Sequence, residues 1–256
     1  MDNLRTRWLL IAALSLVIIS CKKDDADPQP TIIGGVQTVQ TTSVTDIDGN
    51  TYFVIPIGNQ YWMTENLRTT RYADGTAIPL TEDVSSWIAA GTAGTEALCA
   101  YENNATNAAV YGFLYNWYAT TSAHHICPLG WHVPSDLEWK RLETAMGMPP
   151  DELDQLSVAR GTAQNVGGRL KSTSTLWQAP NVGATNASGF SGLASGYRSG
   201  STGGFESLTR FGMWWSSTSG EDPSVALSRT LHQDYVGVQR IGSPKGRGFC
   251  LRCIQD

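Results

Sequence analysis

The sequence predicts a loop-rich domain of short strands with a few helices, preceded by an export segment and a tether. Three observations point there. Only 16% of the 256 residues are charged, while 26 Gly, nine Trp and nine Tyr give turns and aromatic anchors throughout. That composition is poor material for a helical bundle. Short β-rich runs are punctuated by Gly, Asn, Asp and Pro along most of the chain. Four of the five cysteines lie beyond residue 98, an even number that suits an oxidising compartment.

The N-terminus reads as an export signal. Arg5 and Arg7 precede an apolar run from Trp8 to Ile19, and Ser20 stands before Cys21. A cationic head, about a dozen apolar residues and a small residue at the cut site describe a signal peptide over 1–20. The run is shorter than the roughly 20 apolar residues a bilayer crossing needs. Cys21 directly after the small residue resembles a bacterial lipoprotein signal, which implies lipidation of its thiol and a membrane anchor. Cys21-Lys22-Lys23-Asp24-Asp25 also resembles the signal that sends Bacteroidota lipoproteins to the outer cell surface, so an exposed outer-membrane location is expected. Residues 21–43, charged and Pro-containing and then rich in Thr, Gln and Gly, read as an extended tether. The folded domain is expected over 44–256. Removing 1–20 takes away Arg5, Arg7 and Asp2, leaving 16 basic and 22 acidic side chains and a formal charge of −6. That balance argues against nucleic acid as a partner.

From Val44 the elements can be justified in order. Asp46-Ile47-Asp48-Gly49-Asn50 is a turn. Its alternating acids lack the Gly and Glu placement of a calcium loop. Tyr52–Ile57 and Gln60–Met63 flank Gly58-Asn59, a hairpin in which Gly58 takes the positive-φ position. Thr81–Ala90 predicts a helix with Trp87 and Ile88 inward, and Cys99–Asn104 predicts a loop. Ser135 and Glu138 form a capping box for a helix presenting Leu137, Arg141, Leu142 and Ala145 to one face. A second helix is expected after Pro149-Pro150 with Leu153 and Leu156 inward, and a third over Ala163–Lys171. The remainder reads as turns and strands. Cys250 and Cys253, three apart in an extended run, point to opposite faces and should not bond each other. Three connectivities exist for four cysteines. The pairing expected is Cys127–Cys253 with Cys99–Cys250.

Together these pieces resemble the Fibrobacter succinogenes major paralogous domain. The residues that carry the likeness are Asp46–Asn50, Ile57–Met63 with Glu65-Asn66-Leu67, Tyr111–Ala119, Cys127–Ser135 with Glu138-Trp139, Gly189-Phe190, Trp214–Ser217 and Arg252-Cys253. The resemblance implies an exported protein, often lipid-anchored. More distantly, Trp131–Trp139 and the closing Gly248-Phe249 with Arg252-Cys253 resemble the formylglycine-generating enzyme family. That implies an α+β, C-type-lectin-like fold: a twisted antiparallel sheet, flanking helices and long loops. Those enzymes carry a copper-binding cysteine pair upstream of the final Gly-Phe-Arg, whereas this chain has no cysteine between Cys127 and Cys250.

Chemistry finds little to rest on. His132 reads as a half-buried, hydrogen-bonded histidine. His124-His125 and His232 with Asp234 are thin as metal ligands, so neither metal nor cofactor is expected. Phosphate cradles, nucleophile elbows and paired zinc histidines are missing from the sequence. Aromatic–polar pairs point to binding instead. Trp214 and Trp215 must face opposite sides of a strand, so one is expected in the core and the other at a surface or ligand. Tyr197-Arg198 and Asp234-Tyr235 are the other ligand candidates, suited to stacking on and hydrogen-bonding a sugar or a partner protein. The expectation is a monomeric, non-catalytic binding or adhesion module. The alternatives are a diverged oxidase of the lectin-like type and a structural part of a surface lipoprotein complex.

Overall fold

In a computed structural model, residues 42–256 are described. The signal segment, Cys21 and most of the tether lie outside them. Among the described residues no helix is long and apolar enough to cross a membrane.

The chain opens with β1 (Thr42–Thr45), β2 (Thr51–Ile57) and β3 (Gln60–Met63), antiparallel neighbours in sequence order. The hairpin turn is Gly58-Asn59, with Gly58 at φ 60. The acidic turn before β2 is held by one side chain. Asp46 accepts from the backbone N–H groups of Asp48 and Asn50 and from the Tyr52 hydroxyl at 2.6 Å. Next come α1 (Val84–Ala93), β4 (Leu98–Cys99), a 3₁₀ turn at Tyr101–Asn103, α2 (Ala105–Tyr111), β5 (Leu114–Tyr115) and α3 (Trp117–Thr120). Asn104, read as loop, caps α2 by accepting from the Thr106 N–H.

β6 (Trp131–His132) leads into α4 (Asp136–Ala145), whose Ser135–Glu138 capping box forms as expected. Its inward face differs from the expected one: Asp136, Trp139, Leu142 and Glu143 are buried, whereas Leu137 is exposed. The stretch after Pro149-Pro150 is a turn rather than a helix, and Leu156 is exposed. β7 (Ala159–Arg160) and a shorter helix than expected, α5 (Val166–Leu170), follow. The chain ends with β8 (Ser195–Arg198), β9 (Phe205–Leu208), β10 (Phe211–Ser219), β11 (Val225–His232), β12 (Val238–Pro244) and β13 (Ile254–Gln255).

The strands form a five-stranded sheet in the order β1-β2-β3-β13-β6 and a four-stranded sheet in the order β10-β11-β12-β7. All their pairings are antiparallel. With the flanking helices, this is the α+β arrangement expected. Two apolar clusters fill the interior, and β10 lies between them. Trp214 joins the cluster of Trp62, Trp139 and Phe190, while Trp215 joins that of Tyr52, Tyr115 and Phe249.

A single amide ties these layers together. Asn66 Nδ2 donates to the Tyr111 carbonyl at 2.7 Å, and its Oδ1 accepts from Trp214 Nε1 at 2.8 Å and Arg252 Nε at 3.0 Å. Arg252 is fully buried, lies 3.9 Å from the Phe190 ring centre and donates to the Phe190 and Ser191 carbonyls. Gly112 is required beside it: a Cβ there would stand 2.6 Å from Asn66 Cβ. Much of what carried the family likeness is therefore core architecture.

Among the described residues one disulfide forms, Cys127–Cys253, as expected. Cys99 and Cys250 instead are free, buried thiols, a correction to the expected second bond. The topology supplies the reason. Cys99 pairs with Leu114, and Tyr115 pairs with Phe249, which sets β5 between the two cysteines. Two strand spacings put their Cα atoms roughly 10 Å apart, beyond the roughly 7 Å a disulfide can bridge. Burial pushes both thiols up to about 12.

Candidate functional site: an open groove beside helix α2

The six residues expected at a ligand do not converge. Trp214 and Trp215 are both fully buried, which corrects the expectation that one faces outward. Both faces of β10 are covered, and each indole N–H has an internal partner, Asn66 Oδ1 for Trp214 and the Tyr115 carbonyl for Trp215. Arg198 is also fully buried, between the Trp87 and Phe205 rings at 4.7 and 4.8 Å. Tyr197 is half-buried and donates to Glu206 at 2.5 Å. Asp234 and Tyr235 alone are exposed, on the loop after β11.

The histidines are engaged locally. His124 Nδ1 lies 2.5 Å from Asp74 Oδ2 on the surface. The Thr76 N–H, and then His124, hold the Asp74 carboxyl down at about 2. His132 is half-buried between Asp256 (2.6 Å) and Glu138 (2.9 Å), and so has the hydrogen bonds expected of it.

A prominent concavity among the described residues lies elsewhere. It is an open groove of about 920 Å³ beside α2, bordered by the 68–71 and 77–82 segments. Ala105, Ala108 and Ala109 of α2 form its floor, and Ile78, Leu80 and Phe113 add aliphatic and aromatic surface. Arg68 and Arg71 line one part, with Glu82 and Asn103 also at the lining. Arg71 is 58% exposed and its ion-pair partner among the described residues is Asp48 at 3.5 Å, so most of its donors face solvent. Arg68 is fixed: it donates to Glu65 and to the Thr51 carbonyl and stacks 4.7 Å from the Tyr52 ring centre.

Buried groups hold the groove's borders. Arg198 Nη1 and Nη2 donate to the Thr81 and Glu82 carbonyls at 2.6 and 2.8 Å, clamping one border from inside. Asn66 holds the C-terminal end of α2 through the Tyr111 carbonyl, and Phe113 N–H donates to the Leu67 carbonyl at 3.1 Å. Tyr52 accepts from the Arg68 N–H and donates to Asp46. Burial, and then Asp46, hold its phenol protonated, with a pKa far above the ordinary range. The concavity is thus preformed, as ligand sites usually are. Sequence reasoning missed it because its floor is alanine. The available signal was Asn104 preceding Ala105-Thr106-Asn107-Ala108-Ala109, a cap before a run in which three of five residues are alanine.

Fold and site together define an antiparallel-sheet α+β domain with one disulfide among its described residues and an open groove beside α2. The family model described as the Fibrobacter succinogenes major domain matches residues 55–255, and the chain belongs to that family. No curated protein and no solved structure matches the chain.

Proposed function

We propose that this protein is a non-catalytic binding module, carried on the outer cell surface by a lipid on Cys21, and that the groove beside α2 receives its ligand. The observation that carries this reading is the preformed concavity, whose borders are clamped by Arg198 and Asn66 from within. Its alanine floor and aliphatic border suit an extended polymer segment, and the exposed Arg71 guanidinium, which Asp48 meets only through Nε at 3.5 Å, suits a carboxylate on it. A stretch of partner protein fits that mixture better than a glycan, which asks for more polar lining. The C-type-lectin-like fold belongs to the same reading, supported by the antiparallel sheets, few helices and long loops. A diverged oxidase is disfavoured because the cysteine pair its chemistry needs is missing from the sequence.

The test is a displayed-peptide library and a glycan array, each run on the whole mature protein and on Ala109→Trp. Ala109 is exposed on α2, so an indole there fills the groove without entering the core. Saturable ligands that weaken at least about tenfold on the substitution, or roughly 1.4 kcal/mol, are expected. No ligand in either arm, or none whose binding Ala109→Trp weakens, would contradict the proposal.

A further inference from the structure

The loop after β11 carries a second feature, independent of the groove. Three aromatic rings stack in a ladder toward solvent. The Phe211 and His232 centres are 4.4 Å apart, and His232 and Tyr235 are 4.5 Å apart with only 31° between their planes. Tyr235 is 48% exposed although one face is covered by His232, so its other face is open to solvent. The exposed Asp234 carboxylate is adjacent in sequence, with Gln233 Nε2 donating to it at 3.4 Å. Gln233 is 6% exposed, and its Oε1 is a buried acceptor without a partner among the described residues.

The ladder is held from below. The buried Lys171 ammonium donates to the Val182, His232 and Tyr235 carbonyls at 2.7, 3.0 and 2.9 Å. The Asp234 N–H donates to His232 Nδ1 at 2.9 Å, which leaves that nitrogen unprotonated and fixes the ring. The backbone of Tyr235 is thereby pinned, and its ring rests against that of His232.

We propose that this platform is a carbohydrate subsite, in which the aliphatic face of a pyranose lies on Tyr235 and two of its hydroxyls donate to Asp234. The chemistry selects against other ligands. The exposed Asp234 carboxylate, which meets Gln233 Nε2 at 3.4 Å and His232 Nδ1 at 3.6 Å, repels phosphates and acidic ligands. A cation gains little from a single exposed ring face, and the ladder offers one. It would also meet the positive charges of Lys171 below and of Arg210, whose guanidinium lies 6.0 Å from the Phe211 ring centre. A neutral polyol satisfies the ring face and the carboxylate together.

The experiment titrates the mature protein with a panel of neutral methyl pyranosides and their oligosaccharides, read by saturation-transfer NMR and calorimetry. Tetramethylammonium serves as a cationic probe. At least one pyranoside is expected to bind. Tyr235→Ala and Asp234→Ala should each weaken it roughly tenfold or more, and Tyr235→Phe should preserve it because the ring remains. Ala109→Trp should leave it unchanged, which separates this subsite from the groove. All three positions, Ala109, Asp234 and Tyr235, are exposed, and far-UV circular dichroism checks the fold. Silence across the panel, binding indifferent to Tyr235→Ala, or binding of tetramethylammonium alone would overturn the proposal.

Discussion

At the scale of single residues, His132 shows how far sequence reading reaches. Its place before a capped helix predicts a half-buried, hydrogen-bonded ring, and that is found. Its partner Asp256, 124 positions away, was not readable, because only the β6–β13 pairing brings the two together. Burial pulls the His132 pKa down, but Asp256 and Glu138 more than offset this and raise it above 6.5. The folded state therefore favours the imidazolium. Its contribution to stability is fully present below pH 6.5 and is lost as pH rises through the raised value. An NMR titration should place the His132 midpoint above 6.5, and Glu138→Gln should lower it. A midpoint unmoved by that substitution would contradict the assignment. The tryptophans mark the opposite limit. The alternation of Trp214 and Trp215 was legible, but that both faces of β10 are covered depends on distant elements packing over it.

At the scale of elements, α4 is the best-read piece and still surprised in its packing. Its capping box lies within four residues, so the local sequence determines it. Its buried face follows from what it meets, which is the charged surface of β7, β11 and β12. Glu143 Oε1 accepts from Arg160 Nη2 at 2.8 Å and Arg229 Nε at 2.5 Å, and Asp136 is gripped by Arg229 and Arg240. That explains why Leu137 is left outside. Breaking such a buried pair strands charge, at a cost of about 3–5 kcal/mol. Glu143→Gln should therefore lower the unfolding free energy by about that much in urea titration, with unchanged secondary structure. A loss under about 1 kcal/mol would mean that the network contributes little. The α2 helix was missed for the converse reason: seven residues without a large apolar stripe give almost no periodic signal.

For the whole molecule, the disulfide and the two free thiols make a joint statement about topology. Cys127 and Cys253 are 126 residues apart, and their bond closes the domain, while β5 keeps Cys99 from Cys250. Alkylation of the native protein should leave Cys99 and Cys250 unmodified. In denaturant without reductant both should react, with Cys127 and Cys253 still protected. Labelling of Cys99 or Cys250 in the native state would contradict this burial. The pairing of distant cysteines was legible only as a set of possibilities, since spacing says which side chains face alike but not which strands intervene. The motif residues that made the family readable turn out to build the frame, and the frame positions a groove that no motif announced. Recognition at that groove is tested most directly by hydrogen–deuterium exchange of the mature protein with and without the tightest peptide ligand from the displayed library. Protection confined to residues 68–82 and 101–113, and absent in Ala109→Trp, is the expected result. Protection elsewhere, or identical protection in the substituted protein, would contradict it.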